Sequence, residues 1–160
     1  MPDSLPDRPR WLSSQERQTW RSLHLVLATL PGALGRQLQS DSGLSFLEYY
    51  VLVGLADRPG RSMRMGELAS FANSEQSRLS HLMRRLEQRG LVRREPDPQD
   101  GRVTLAVLTD DGQEALVEAA PGHVERVREL IFDRLTAADQ AALRRVMGKI
   151  ADGLCTDASE

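Results

Sequence analysis

The sequence predicts a mostly α-helical fold with one small β-hairpin (α+β), arranged as a winged helix-turn-helix with further helices at both ends. Three observations predict it. Two helical segments meet at a tight corner near the middle of the chain, an alternating hairpin follows them directly, and amphipathic segments occupy both ends. With 160 residues, 40% of them apolar and 28% charged, the chain has the composition of one domain with a real core.

The composition favours a cytoplasmic location. No apolar run reaches the length of a membrane span, and the N-terminal MPDSLPDRPRW lacks the apolar segment of an export signal. The single cysteine, Cys155, cannot form a disulfide within the chain, which suits a reducing compartment.

Charge is distributed unevenly along the chain, although the formal net charge is only -2. Residues 61–102 carry nine arginines against six acidic residues, whereas residues 103–160 carry six basic residues against eleven acidic ones. A basic segment between neutral and acidic flanks suits a polyanionic partner at one face. A solvated charged surface would explain an excess of this size equally well, so charge alone does not decide the partner.

The first two helices are predicted from capping boxes. Ser13 and Glu16 open a long helix over residues 14–39, in which Pro31 must kink or divide the helix because proline lacks an amide donor. Ser45 and Glu48 open a short apolar helix that ends at ADRPG and belongs to the core. The apolar spacing of the first helix comes from Trp20, Leu23, Leu27, Leu30 and Leu34.

The helix-turn-helix is predicted between residues 65 and 88. A short helix from about Met65 to Phe71 precedes a corner at Ala72 and Asn73, and a second helix follows with Ser74 as its N-cap. The second helix has an apolar stripe of Leu79, Leu82, Met83 and Leu86 opposite a polar face of Ser74, Ser77, His81, Arg84, Arg85 and Gln88.

The hairpin after this helix completes the winged helix. Gly90 ends the helix, and the strands LVRRE and VTLAVL are joined by the turn PDPQDG, which places Arg102 at the tip. An arginine there suits the negative potential of a DNA minor groove, and Asp100 is placed to hold the guanidinium in a fixed direction. The alternative is that Asp100 and Gly101 simply form the turn and that Arg102 is solvated.

Two further helices are predicted at the C-terminal end. The fifth begins at Thr109 and is expected to bend at Pro121, and the sixth is capped by Thr136 and Asp139. The core of a winged helix is nearly complete within residues 45–108, so these helices need another surface. We expect that surface to be the matching helices of a second copy, the alternative being that they pack back on their own domain. The apolar stripe of the sixth helix is Leu143, Val146, Met147, Ile150 and Leu154.

The order of these segments resembles the MarR (multiple antibiotic resistance regulator) family of bacterial transcription factors. The resemblance is carried by a Leu-Ala pair in the first helix of the helix-turn-helix, by RLEQRGLV, by D-x-R at the wing tip and by LT-x-x-G at the start of the next helix. It extends to GLSFLEYYVLVGLADRPG and to the C-terminal HVERVRELIFDRLTAADQAALRRVMGKI. Two departures are Pro31 and Gly101, the latter at a position where many members carry a first tip arginine.

The resemblance implies one MarR-type domain over residues 1–160 that forms a homodimer. Residues 14–39 and 110–155 would be dimerisation helices, and residues 45–108 would be the DNA-binding lobe. It also implies an effector pocket between the two parts, suited to a small aromatic or apolar acid, although apolar side chains at this spacing are commonly plain core. Candidate lining residues are His24, Leu27, Tyr49, Tyr50 and Val53.

On this interpretation the partner is double-stranded DNA with a pseudo-palindromic operator. Arg84 is suited to a bidentate contact with guanine, and Arg102 with Asp100 forms the wing contact. The base edges would be read by Ser77, Ser80, His81 and Arg84. The phosphates would be held by Ser74, Arg78, Arg85 and the amides at the start of the recognition helix.

Other function classes find less support in the sequence. The three histidines are scattered and no glycine-rich phosphate loop occurs, so no enzyme activity and no cofactor are expected. A regulator that senses metal through His24 and His123, or redox state through Cys155, stays open as an alternative. A winged helix used for protein contacts is another, but the polar face has no aromatic anchor. Within the favoured class we expect a repressor rather than an activator.

Overall fold

A computed structural model of the chain describes residues 9–157, with side chains described up to residue 154. The suggested thiol role of Cys155 therefore lies outside the described side chains. No helix within residues 9–157 has the length and apolar character needed to cross a membrane.

Six α-helices and a three-stranded sheet form the regular structure of residues 9–157. Two short 3-10 turns, Pro59–Arg61 and Phe132–Arg134, connect some of them. The elements in chain order are α1 (Ser14–Ser42), α2 (Phe46–Ala56), β1 (Ser62–Arg64), α3 (Met65–Phe71), α4 (Gln76–Gln88), β2 (Val92–Pro96), β3 (Thr104–Leu108), α5 (Asp110–Leu130) and α6 (Ala137–Asp157).

The chain divides into two compact units, one ending at Ala33 and the other beginning at Leu34. In the first, the capping box of α1 forms as predicted: the Ser13 amide donates to Glu16 Oε2 at 2.7 Å, and the Glu16 amide donates to Ser13 Oγ at 3.2 Å. The helix continues through Pro31 without division and ends at Ser42, three residues beyond the predicted end.

The core of the second unit lies between α2, the helix-turn-helix and the sheet. Leu52 and Leu55 of α2 are fully buried against Leu68 of α3 and the apolar stripe of α4, as the sequence predicts. Both groups of the second capping box are also in place, with Ser45 as N-cap. Such a core fixes the helix-turn-helix as a rigid body.

The sheet has the order β1-β3-β2, and both pairings are antiparallel. The hairpin was predicted, but β1 was not. This three-residue strand has too few side chains for an alternating pattern, and it forms because β3 offers a free edge, with Arg64 opposite Leu105. Sequence pattern alone carries no information on that pairing.

The predicted N-cap of α4 at Ser74 is wrong, because Glu75 occupies that position and the helix begins at Gln76. Asn73 has a left-handed φ of 42°, and the Ser74 amide donates to the carbonyl of Ala69 at 3.0 Å. This closes the end of α3, so Ser74 belongs to the corner rather than to α4.

The caps predicted for α5 and α6 are confirmed. Thr109 Oγ1 accepts from the Gly112 amide at 3.0 Å. The Thr136 amide donates to Asp139 Oδ2 at 3.0 Å, and the Asp139 amide donates to Thr136 Oγ1 at 3.2 Å. Pro121 lies inside α5, which continues from Asp110 to Leu130.

Candidate nucleic-acid interface

The exposed face of α4 carries polar side chains with few contacts to the rest of the described chain. Ser77, Arg78, His81 and Arg84 are exposed, Ser80 is half-buried, and the apolar stripe on the other side is buried. Within the described residues the side chains of the four exposed residues make no hydrogen bond or ion pair. Hydroxyl, imidazole and guanidinium groups presented in this way can contact base edges and phosphates.

Arg85, the neighbour of Arg84, is exposed but forms an ion pair with a buried carboxylate. Its Nε donates to Glu48 Oε1 at 3.2 Å, while Glu48 Oε2 accepts from the Ser45 amide at 2.8 Å. Burial raises the pKa of the Glu48 carboxyl, but the hydrogen bonds from Ser45 and the charge of Arg85 outweigh it and bring the pKa below its ordinary value. Arg85 therefore attaches α4 to α2, a role not foreseen from the sequence.

The start of α4 leaves backbone amides available. Its N-cap, Glu75, makes no side-chain capping bond, and the half-buried Ser74 directs its hydroxyl to the Glu75 carbonyl at 3.5 Å. Amides of a first helical turn that lack a side-chain cap can bind a phosphate oxygen. These amides are therefore available for the expected phosphate contact, whereas Ser74 lies in the corner before the helix.

The wing carries Arg102 on its tip, where the side chain is 97% exposed. Asp100 Oδ1 accepts from the Arg102 amide at 3.1 Å, but lies 3.9 Å from the Arg102 Nε. The latter distance is that of a long ion pair and not of a hydrogen bond, so the carboxylate contacts the guanidinium weakly and holds the backbone of the turn through its hydrogen bond. Gly101 has no positive φ, and a Cβ added there would meet nothing within 4 Å.

Two ion pairs that the sequence did not reveal hold the base of the wing. Arg94 in β2 donates from Nε to Glu87 Oε2 at 2.9 Å, and its amide donates to Glu87 Oε1 at 3.1 Å, which ties the hairpin to α4. Arg64 pairs with Asp97 at 2.9 Å. Asp97 stands in a stretch with an evident turn pattern, but Arg64 gives no local signal because the two are 33 residues apart.

The candidate pocket residues occupy different surroundings. In the first unit, His24 and Leu27 are exposed, and the His24 ring lies 6.0 Å from Trp20. In the second unit, buried Tyr49 lies 4.5 Å from the His123 ring, whereas Tyr50 stacks on Phe71 at 4.7 Å. Val53 is half-buried beside the core.

Two buried polar atoms in the described part of the second unit are unpaired, one of them on the His123 ring that contacts Tyr49. Gln37 Oε1 and His123 Nδ1 are buried without a hydrogen-bond partner among the described residues. Burial raises the pKa of Tyr49 and lowers that of His123. No group of three or more His, Cys, Asp or Glu side chains within the described chain could hold a metal ion.

Long apolar surfaces remain uncovered in each unit. Every residue of α6 from 141 to 154 is exposed, including the predicted apolar stripe. In the first unit the exposed large apolar side chains are Trp11, Leu12, Trp20, Leu25, Val26 and Leu27. Surfaces of this kind mark protein interaction sites, since their exposure to water is unfavourable.

Comparison with known proteins finds similarity to transcriptional regulators. A model described as MarR family matches residues 42–103. The transcriptional regulator HosA from Escherichia coli O111:H- is 34% identical over 103 residues, which make up 64% of this chain and 74% of HosA. The HTH-type transcriptional repressor NicR from Pseudomonas putida is 28% identical over 120 residues, 75% of this chain and 74% of NicR.

The likeness to a solved structure covers nearly the whole chain. Sco3205, a MarR family transcriptional regulator from Streptomyces coelicolor crystallised in complex with DNA, shares 48% identity with a TM-score of 0.86. The alignment covers 91% of this chain and 92% of that one. It therefore includes helices outside residues 42–103 as well as the winged helix itself.

Proposed function

The chain belongs to the MarR family of transcriptional regulators, and from this premise we propose that it is a homodimeric repressor released from its operator by a small ligand. It is a DNA-binding transcription regulator. NicR, a relative along three quarters of this chain, is a repressor, which supports repression rather than activation. The proposal includes a cytoplasmic location, where a DNA-binding regulator meets its operator, and no catalytic activity.

The observation that carries this proposal is the exposed polar face of α4 together with the exposed Arg102 on the wing tip. Four polar side chains of the helix have no hydrogen bond or ion pair within the described chain, and Arg102 has only a long ion-pair contact of 3.9 Å with Asp100. Arg85 and Arg94, by contrast, form hydrogen-bonded ion pairs with Glu48 and Glu87. Exposed cations with no pairing or only weak pairing suit a phosphate-binding surface.

The residues divide into two roles. We assign base reading to Ser77, Ser80, His81 and Arg84, with Arg84 suited to bidentate recognition of guanine. Phosphate contacts fall to Arg78, to Arg102 on the wing and to the amides at the start of α4, with Ser74 and the outer nitrogens of Arg85 beside them. Asp100 supports the wing through its hydrogen bond to the Arg102 amide.

The dimer accounts for the exposed apolar helices. One MarR-type domain would span residues 1–160, with dimerisation helices over residues 14–39 and 110–155 and the DNA-binding lobe over residues 45–108. A two-fold axis places two α4 helices in successive major grooves, so the operator is pseudo-palindromic with half-sites about one helical turn, or 10 base pairs, apart.

Release by a ligand rests on the surroundings of Tyr49. The unpaired Gln37 Oε1 and His123 Nδ1 lie buried in that unit, and a small aromatic or apolar acid supplies both a ring and a polar group. Tyr50 and Val53 complete the proposed lining within that unit. Binding that favours one lobe spacing would weaken operator affinity by about 1 to 3 kcal/mol.

The test is a binding titration on the DNA that flanks the protein's own coding sequence, together with sedimentation of the free protein. We expect a salt-sensitive complex on one symmetric site and a dimer at micromolar concentration. A well-folded monomer, or a footprint on one isolated half-site, would contradict the proposed assembly. A metabolite screen that leaves operator affinity unchanged would contradict ligand release alone.

A further inference from the structure

One ion pair joins the wing to the strand that precedes the helix-turn-helix. Arg64 is the last residue of β1 and stands immediately before α3. Its Nε and Nη2 atoms lie 3.1 Å and 2.9 Å from Oδ2 of Asp97, the residue that follows β2. Because β3 lies between β1 and β2, this pair reaches across the width of the sheet.

The same aspartate organises the turn of the wing. Its Oδ1 accepts from the Gln99 amide at 2.8 Å, and its own amide donates to the Val103 carbonyl at 2.8 Å. The hydrogen bond from Gln99, assisted by Arg64, holds the pKa of the Asp97 carboxyl below its ordinary value, although burial raises it. With a side chain only 8% exposed, Asp97 is the fixed end of a turn whose residues 98–102 are all exposed.

We propose that Arg64 and Asp97 are positioning residues for DNA binding, and that their pair fixes the direction in which the wing presents Arg102 relative to α4. This rests on the proposed function, in which Arg102 contacts a phosphate. The tip has only local hydrogen bonds of its own, from the Arg102 amide to Asp100 Oδ1 and from the Val103 amide to the Asp100 carbonyl. The base of the turn therefore determines where the tip points.

The loss of Asp97 should change DNA affinity in opposite directions, depending on whether the residue positions the wing or acts only through its charge. A negative charge on the wing repels DNA phosphate, so its removal alone would strengthen binding. Removal of a positioning group weakens binding, because the free wing must then be ordered when the complex forms. The sign of the change separates the two effects.

Glu95 provides a matched control. It is an acidic residue on the same hairpin arm, and its partner Arg93, at 3.0 Å, belongs to the same strand. The pair of Arg93 and Glu95 cannot orient the turn relative to α3. Glu95→Gln therefore removes the same charge as Asp97→Asn without loosening the wing.

The experiment measures operator affinity by fluorescence anisotropy over a series of salt concentrations. We expect Asp97→Asn to raise the dissociation constant about threefold or more, as uncoupling of interacting residues does, and Glu95→Gln to leave it unchanged or lower it. Arg64→Lys keeps the charge but replaces the planar fork by one ammonium group, so it should shift affinity in the same direction as Asp97→Asn.

A double-mutant cycle compares the effect of Arg102→Ala on DNA binding in the wild type and in Asp97→Asn. A purely structural role of Asp97 would leave this effect the same in both. Arg102→Ala should flatten the salt dependence in the wild type and have much less effect in the Asp97→Asn background. Thermal unfolding shows whether Asp97→Asn is folded. If it is not, Arg64→Lys takes its place in the cycle.

The outcomes are distinguishable. Positioning is overturned if Asp97→Asn binds at least as tightly as Glu95→Gln, or if Arg102→Ala has its full effect in both backgrounds. If Arg102→Ala changes nothing even in the wild type, the wing contact of the proposed function fails, and this role of Arg64 and Asp97 fails with it.

Discussion

Arg85 and Glu48 join the recognition helix to α2 through a contact of 3.2 Å between Nε and Oε1, in which the arginine side chain is 60% exposed and the carboxylate is buried. Arg84, one residue earlier, has no partner within the described residues. Adjacent exposed arginines on one helix therefore have different surroundings, because one is paired with a buried carboxylate and the other is not. Their substitutions should separate stability from DNA recognition.

Arg85→Ala should destabilise the fold. The substitution leaves Glu48 Oε1 without its hydrogen bond, while Oε2 keeps that from the Ser45 amide; an unsatisfied buried acceptor costs about 1 to 3 kcal/mol. Arg84→Ala is the matched control and should stay within about 0.5 kcal/mol of wild type, as exposed substitutions do. Urea unfolding measures both, and equal stabilities of the two variants would contradict the stabilising role of Arg85.

Arg84→Ala should act on DNA recognition instead. Loss of a bidentate hydrogen bond to a base costs about 1 to 3 kcal/mol on the cognate operator and reduces discrimination at one base pair. Affinities for a set of single-base operator variants measure this. A uniform loss over all sequences would mean that Arg84 contacts phosphate.

The wing arginine should contribute charge rather than sequence reading. Arg102→Ala should weaken specific and non-specific binding together. It should also make the salt slope shallower by about 1 to 2 units for a dimer, because each phosphate that the protein neutralises contributes about 0.9 to the slope. Unchanged affinity and salt slope at physiological ionic strength would show that Asp100, Gly101 and Arg102 form a turn and nothing more.

Gly101→Arg tests the same surface by adding a positive charge to the wing tip instead of removing one. Gly101 has no left-handed φ and open space around its Cβ position, so the new side chain fits without strain. It should increase affinity for any duplex and steepen the salt slope by about 1 to 2 units, because a dimer carries the new cation twice. Gly101→Gln adds length without charge, and it should leave the slope as in the wild type.

A charge on the apolar stripe of α6 should break the dimer. Ile150→Glu places a carboxylate where we propose that a second copy packs, and burial of an unpaired charge is strongly unfavourable. Arg145→Glu changes charge on the opposite side of the same helix and should preserve assembly. Sedimentation velocity at micromolar concentration compares them, and a dimer for Ile150→Glu would place the interface elsewhere.

Much of the fold was predictable because its signals are local. The capping boxes of Ser45 with Glu48 and of Thr136 with Asp139 each lie within four residues, and both are present in the structure. The spacing of Leu79, Leu82, Met83 and Leu86 determined which face of α4 is buried, and therefore which polar side chains are exposed. Regular periodicity fixes a face before any packing is known.

What only the tertiary structure decided involves residues far apart in the chain. Ser74 resembles an N-cap, but the left-handed Asn73 commits its amide to the carbonyl of Ala69 in α3. β1 exists only because β3 presents a free edge. Local patterns describe each segment by itself, whereas a hydrogen bond across 33 residues, as between Arg64 and Asp97, depends on how folding brings two segments together.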